Sequence, residues 1–312
     1  RDLRMSRGLG DVYKRQVGDD SVSETFKDSV CLAYADNIYM RPQAESTANL
    51  HNAIKKSAFS QSASNHIISR ATVEAYANAI RAYKPAEWVS FSEFFVEALK
   101  SNRGSFPESV NVLLPYSMNA LYQARDGQSA VQVAALYAAL NQGQTVDILL
   151  TNASSCTDQN FIAFLVQLVC RITPDMISTE SNLTRLYRQL QQFNLDSYFS
   201  AALAYKAQTM IRAQDMARFL DWILSNRELK EIDLTSVIRI FDKNIVLSDK
   251  YVGKLAYRIQ NCKPEGVACI NSAHIYALDA LDDRKQANGL IPLLNSMISQ
   301  GFPSIKDAAY AE

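Results

Sequence analysis

The sequence is poor in glycine and proline, which limits the fold classes open to it. Ten glycines and eight prolines occur in 312 residues, so there is little turn chemistry for β-hairpins or glycine-rich loops. Walker-A, G-x-S-x-G and H-E-x-x-H sequences are all missing, and with them the usual sequence signs of phosphate, acyl-transfer or zinc chemistry. We therefore expect an all-α fold.

Cysteine and histidine are also scarce. The five cysteines never form a C-x-x-C pair, a pattern that favours reduced, buried thiols in an intracellular, reducing compartment. The three histidines stand apart from any cysteine or acidic motif, at positions His51, His66 and His274. We therefore expect a protein without catalytic residues, metal or cofactor, and an enzyme is the least favoured class.

Long apolar runs are missing too. The densest one, residues 161–172, is interrupted by Gln167 and Arg171 and is shorter than the ~20 residues that span a bilayer. We expect no membrane span.

Residues 1–16 differ in origin from the rest. The stretch SRGLGDVYKRQ, residues 6–16, reverse-translates without a gap into the second-read adapter and mosaic end of a transposase-based sequencing library. The residues ahead of it fit the outer primer and index. We therefore interpret residues 1–16 as a non-native, adapter-derived scar and expect the biological chain to begin near Val17, its own N-terminus and any targeting segment lying outside this sequence.

The near-neutral net charge excludes a strongly basic nucleic-acid binder. The whole chain carries 32 basic and 32 acidic residues, of which residues 1–16 hold five and two. The remaining 27 basic and 30 acidic residues leave no bulk electrostatic attraction for a polyanion. A basic stripe on one surface is still compatible with this total.

Apolar residues recur at positions i, i+3, i+4 and i+7, which predicts short amphipathic helices. These stripes begin at Phe91, Val133, Leu183, Met216, Leu234, Val252 and Leu290. Asp233 and Ser248 are candidate N-caps. Gly143 and Gly301 are candidate left-handed residues that end helices.

The stripes at Leu183, Met216, Val252 and Leu290 are 33, 36 and 38 residues apart, with a second helix between neighbours. This spacing predicts an α-solenoid of helix-turn-helix repeats of about 35 residues. We assign residues 17–70 to a helical N-terminal segment of unclear register, 71–304 to the repeat array and 305–312 to a tail. Hairpins are predicted at 107–143, 157–193 and 195–227 among others, and residues 145–156 break the phase as a short extra helix.

Several repeats share a pattern of Tyr and Asn on the first helix and Met-x-x-x-Gly at the end of the second. It occurs as Tyr76, Asn78 and Ile80; as Tyr116, Asn119, Gly127 and Gly143; as Asn271; and as Met297, Gly301 and Pro303. Over residues 72–304 the chain thus resembles a divergent pentatricopeptide-like array. It departs from that pattern in its variable unit lengths and missing prolines, and a generic α-solenoid also fits.

The resemblance implies a function in recognition. Pentatricopeptide arrays bind single-stranded RNA in mitochondria or plastids, about one base per repeat, through polar residues of the first helices. Carried over to this chain, the RNA-binding candidates are Asn78, Asn119 and Asn271, although each Asn could instead hydrogen-bond to an adjacent turn. The alternative is a protein-binding scaffold or subunit of an assembly, which the near-neutral charge favours.

Deleting residues 1–16 is expected to leave the thermal unfolding transition unchanged, because a scar has no evolved partner in the core. The melting temperatures of the full chain and of residues 17–312, compared by circular dichroism, test this. A clear loss of stability on deletion contradicts the adapter interpretation.

Overall fold

The computed structural model describes residues 85–101 and 106–229, together with the single positions 23, 29, 65, 68, 232, 237, 240, 241 and 254. Every regular element within these residues is helical, and no described residue lies in a β-strand. The predicted all-α class is confirmed for this part of the chain. The chain divides after Ile172 into two compact units, which are described separately.

In the first unit, α3 is the central helix of the described part. The helices are α1 (Pro85–Ser101), α2 (Glu108–Gln123), α3 (Gly127–Leu140), α4 (Gln142–Ser154) and α5 (Gln159–Ile172). Helix α3 packs against each of the other four; α2 also packs against α4 and α5, and α4 packs against α5. No residue of α3 carries a charge, which suits a helix with neighbours on several sides.

The apolar stripes of α1 and α3 face each other. The predicted stripe that begins at Phe91 is buried along its length, and the ring centroids of Phe95 and Tyr137 are 6.3 Å apart. On α3 the fully buried positions include Ala130 and Ala134, whereas the predicted Leu136 and Leu140 are only half-buried. The small alanines let neighbouring helices come close, so the buried face is rotated from the predicted one.

A single residue, Asn141, separates α3 from α4. It is the C-cap of α3 and the N-cap of α4, where its Oδ1 accepts a hydrogen bond from the Gln144 N–H at 3.1 Å. The prediction that Gly143 ends a helix in left-handed geometry is wrong, since Gly143 lies in the first turn of α4. The extra helix expected at 145–156 corresponds to most of α4, which begins at Gln142, ends at Ser154 and, at 13 residues, is nearly as long as α3 and α5 with 14 each.

Left-handed residues end two helices, but neither is a glycine. Among the described residues, Arg125 follows α2 with φ 56°, and Asn194 follows the helix Glu180–Gln192 with φ 57°. After α2, the Arg125 N–H donates to the Tyr122 carbonyl at 2.9 Å and the Asp126 N–H to the Leu121 carbonyl at 3.0 Å. This is the paired bonding that closes helices at a left-handed residue, a position where glycine is usual.

The second unit is described as far as Leu229, plus a few single positions. Its helices are α6 (Glu180–Gln192), α7 (Phe199–Gln208) and α8 (Ala213–Ser225), with 3₁₀ turns at Pro174–Ile177, Asp196–Tyr198 and Arg227–Leu229. The predicted stripe from Leu183 is buried throughout, and that from Met216 is buried beyond its half-buried first residue. The Tyr187 ring packs 5.2 Å from Phe199, joining α6 to α7.

Several sequence predictions lie outside the described residues. They concern the caps at Asp233, Ser248 and Gly301 and the stripes from Val252 and Leu290. Of residues 1–70 and 305–312 only four single positions are described, so these domain assignments stay predictions.

The interface between α1 and α3 contains two buried hydroxyl groups without a hydrogen bond of normal geometry, those of Ser92 and Tyr137. Burial raises the pKa of Tyr137 far above its ordinary value, an effect that the nearby Ser92 hydroxyl offsets only in part. An unpaired buried hydroxyl destabilises the folded state by about 1–3 kcal/mol.

Tyr137→Phe is therefore expected to raise the free energy of unfolding by about 1 kcal/mol, because it removes the hydroxyl and keeps the ring. Denaturant unfolding measures the change. Tyr116→Phe is the matched control, since Tyr116 is 38% exposed, and it should change nothing. A loss of stability in Tyr137→Phe means that the hydroxyl is hydrogen-bonded in solution.

Candidate recognition cleft

A cleft of about 560 Å³ lies between α2 and α4, within the size range of ligand sites. Most of its lining side chains are polar and come from one side of α4. The lining residues are Phe106, Asn111, Pro115, Gln144, Asp147, Ile148, Thr151, Asn152 and Ser155. The α4 members are spaced three and four residues apart, so they form a single helical face.

On the α2 side, a proline inside the helix provides a free backbone acceptor. Pro115 lies in the interior of α2 and has no N–H, so the Asn111 carbonyl four residues earlier loses its usual intrahelical donor. Both residues line the cleft. The wall formed by α2 is thus interrupted in its intrahelical hydrogen bonding at Asn111 and Pro115.

On the α4 side, a side-chain amide provides an unpaired donor. The Asn152 Nδ2 is buried and has no hydrogen-bond partner, while its Oδ1 accepts only a long bond from the Cys156 thiol at 3.8 Å. Exchanging the two amide atoms would leave the oxygen unpaired instead. In either orientation, one polar atom of Asn152 stays buried and unpaired beside the cleft.

The cleft has acidic character. Asp147 is the one charged residue among those that line it. The described residues around it are acidic as well, since α1 carries three glutamates and Lys100, and residues 106–172 carry four acidic residues and two arginines. A neutral or basic ligand is favoured at this cleft over a polyanion.

Of the three Asn residues expected to bind RNA, only Asn119 lies in the described part of the chain; Asn78 and Asn271 lie outside it. Asn119 is exposed in the middle of α2. It shares the side of α2 that carries Asn111 and Pro115, at four-residue spacing, but lies beyond the cleft. The described residues offer its side chain no hydrogen bond.

Sequence reasoning missed the cleft residues Asn111, Asp147 and Asn152. Asn152 was assigned to a segment that breaks the repeat phase, so its place on a helix opposite α2 was not foreseen. One signal was present in the sequence: Pro115 falls inside a strongly helical pattern, and such a proline always frees the carbonyl four residues before it. Pro115 thus identifies the Asn111 carbonyl, but it does not show which residues lie across the cleft from it.

The described residues contain no group of three or more His, Cys, Asp or Glu side chains placed to hold a metal ion. None of the helices described is long and apolar enough to cross a membrane. Comparison of the chain with protein-family models, curated proteins and solved structures finds no match.

The two thiols in the described part of the chain differ in burial. Cys156 follows α4 and is half-buried beside Asn152, whereas Cys170 is fully buried in α5. Burial raises the pKa of both, and that of Cys170 to about 12. At pH 8 the native thiolate fraction of Cys170 is then on the order of 10⁻⁴.

Cys156 is expected to react with iodoacetamide much faster than Cys170 in the native protein at pH 8, because the thiolate is the reactive form and Cys170 is shielded. Rates should rise with pH as more thiolate forms. Peptide mass spectrometry measures both sites separately. In denaturant the two rates should become similar; equal rates in the native protein would contradict the described burial.

Proposed function

We propose that this protein is a non-catalytic α-solenoid that binds an extended peptide segment of a partner protein in the cleft between α2 and α4. The observation that carries the proposal is the row of polar α4 side chains, Gln144, Asp147 and Thr151 among them, that faces Asn111 and Pro115 of α2 across the cleft. Side chains of this kind can hydrogen-bond to the N–H and C=O groups of an extended peptide backbone.

The helix spacing supports the solenoid. Helices α2, α4, α6 and α8 begin at residues 108, 142, 180 and 213, which are 34, 38 and 33 residues apart. Within the first unit, α2 packs against α3 and α4, and α3 packs against α4 and α5. Contacts between each helix and its next two neighbours are typical of stacked helical hairpins. In this arrangement α2 and α4 are consecutive first helices, a register in which α4 pairs with α5 and α6 with α7, unlike the predicted hairpins 157–193 and 195–227.

Charge supports a peptide over RNA. Helices α2, α3 and α4 contain no Lys or Arg, while RNA affinity depends on cationic contacts with phosphates. Asp147 in the cleft would instead attract Lys or Arg of a peptide. The expected partner segment is therefore extended and neutral to basic.

The second candidate function is binding of single-stranded RNA, which one observation supports. Asn119 and Tyr116 are exposed three residues apart on α2, so a base could stack on the tyrosine and hydrogen-bond to the amide. Location in a mitochondrion or plastid follows only from the pentatricopeptide resemblance.

Thr151→Trp is expected to abolish peptide binding, because Thr151 is an exposed residue of the cleft wall and an indole there fills the space without disturbing the core. The full chain is used to select binders from a displayed random-peptide library. Selected peptides are then synthesised and titrated by fluorescence anisotropy. We expect Thr151→Trp to weaken binding at least about tenfold, equivalent to 1.4 kcal/mol.

Asn119→Ala is the matched control, since it lies on α2 outside the cleft and should leave peptide affinity unchanged. The same variants are titrated with a single-stranded RNA pool across salt concentrations. If no peptide is selected, or if Thr151→Trp binds as the parent does, the peptide proposal fails. Salt-sensitive RNA binding that weakens in Asn119→Ala would then establish the second candidate.

A further inference from the structure

A second cleft, of about 280 Å³, lies where the end of α2 meets the start of α3 and the middle of α5. It combines aromatic rings with guanidinium groups. The side chains used below are Tyr122, Arg125, Asp126, Phe164 and Arg171. Neither the repeat pattern nor the peptide proposal assigns these residues a role.

One wall of this second cleft is aromatic and fixed in position. The Tyr122 ring lies 4.9 Å from Phe161 and 5.3 Å from Phe164, measured between centroids. Burial, and then the nearby Asp158 carboxylate, raise the pKa of the Tyr122 hydroxyl, and the Asp158 Oδ1 accepts from the backbone N–H groups of Asn160 and Phe161 at the start of α5. A planar ligand therefore meets a preformed aromatic surface.

The second cleft also gathers positive charge in an acidic part of the chain. Arg125 and Arg171 are the basic residues of 106–172, and both line this cleft. The Arg171 guanidinium lies over the first turn of α3, where a Cβ on Gly127 would be 3.8 Å from Nη1. Asp126 offsets one of these charges and is held by Ser129, whose N–H and hydroxyl donate to its carboxylate at 3.0 and 2.9 Å. The cleft is left with a net charge near +1.

The backbone at Arg125 adds an independent observation. Its φ of 56° is the left-handed conformation, which glycine adopts without cost and an arginine does not. A strained residue is a reason to look for a role of its side chain. Here that side chain lines the cleft beside the aromatic wall.

We propose that this second cleft binds a small planar anion: an aromatic ring that carries one phosphate or carboxylate group. The ring stacks on Tyr122 and Phe164, and the anionic group is held by the guanidinium groups of Arg125 and Arg171. Guanidinium groups bind both anions through paired N–H donors. Phosphate-bearing and carboxylate-bearing rings share this chemistry, and the probes below separate them.

The test uses the full chain and calorimetric titration with four probes. AMP presents a ring with phosphate, phenylacetate a ring with carboxylate, adenosine the ring alone and inorganic phosphate the anion alone. We expect AMP or phenylacetate to bind with a Kd of about 1 mM or tighter. Adenosine and inorganic phosphate should each bind at least about tenfold more weakly, since each lacks half of the contacts.

Arg125→Gly separates binding from folding. Glycine suits a φ of 56°, so the melting temperature should stay the same or rise, while affinity for the bound probe falls at least about tenfold because a charged contact is lost. Asn194→Gly makes the same backbone change at the other left-handed residue and should leave binding unchanged. Failure of both AMP and phenylacetate to bind at about 10 mM, or unchanged binding in Arg125→Gly, overturns the proposal.

Discussion

Burial of α3 is the constraint on which the described part of the first unit depends. This uncharged helix contacts α1, α2, α4 and α5, and hydrophobic burial is the main favourable term in such packing. Its buried alanines allow close approach of its neighbours, while Tyr137 fills the space towards Phe95. Because both α2 and α4 pack on α3, this central helix determines how far apart they lie and therefore how wide the recognition cleft is.

The helices themselves could be predicted from sequence because their signal is local. A stripe of apolar residues every three or four positions is enough to identify α1, α6 and most of α8, and the stripe from Leu183 is buried as expected. The limits of helices were harder to predict. Gly143 looked like a helix end, but Asn141 already ends α3 and caps α4, and the two left-handed positions hold Arg and Asn. Glycine is the most frequent residue at left-handed positions that end helices, but less common residues also occur there.

The candidate site was less predictable because it depends on which helices face each other. Asn111 and Asn152 are 41 residues apart in sequence and line the same cleft only through the packing of α2 and α4 on α3. A search for polar first-helix residues found Asn119, which is on the same helix, yet it could not locate the opposite wall. The second cleft could not be predicted from sequence for the same reason, since Arg125 follows α2 and Arg171 is in α5.

The one-residue junction at Asn141 also bears on the kinetics of recognition. A longer linker would let α4 move relative to α3, and binding of a ligand would then have to restrict this motion. With Asn141 engaged as the cap of both helices, α4 is held on α3 without any ligand, and the proposed peptide would dock on an already ordered surface. Association should then proceed as docking to a rigid surface, so differences in affinity among ligands of this cleft should be expressed mainly in how long each one stays bound.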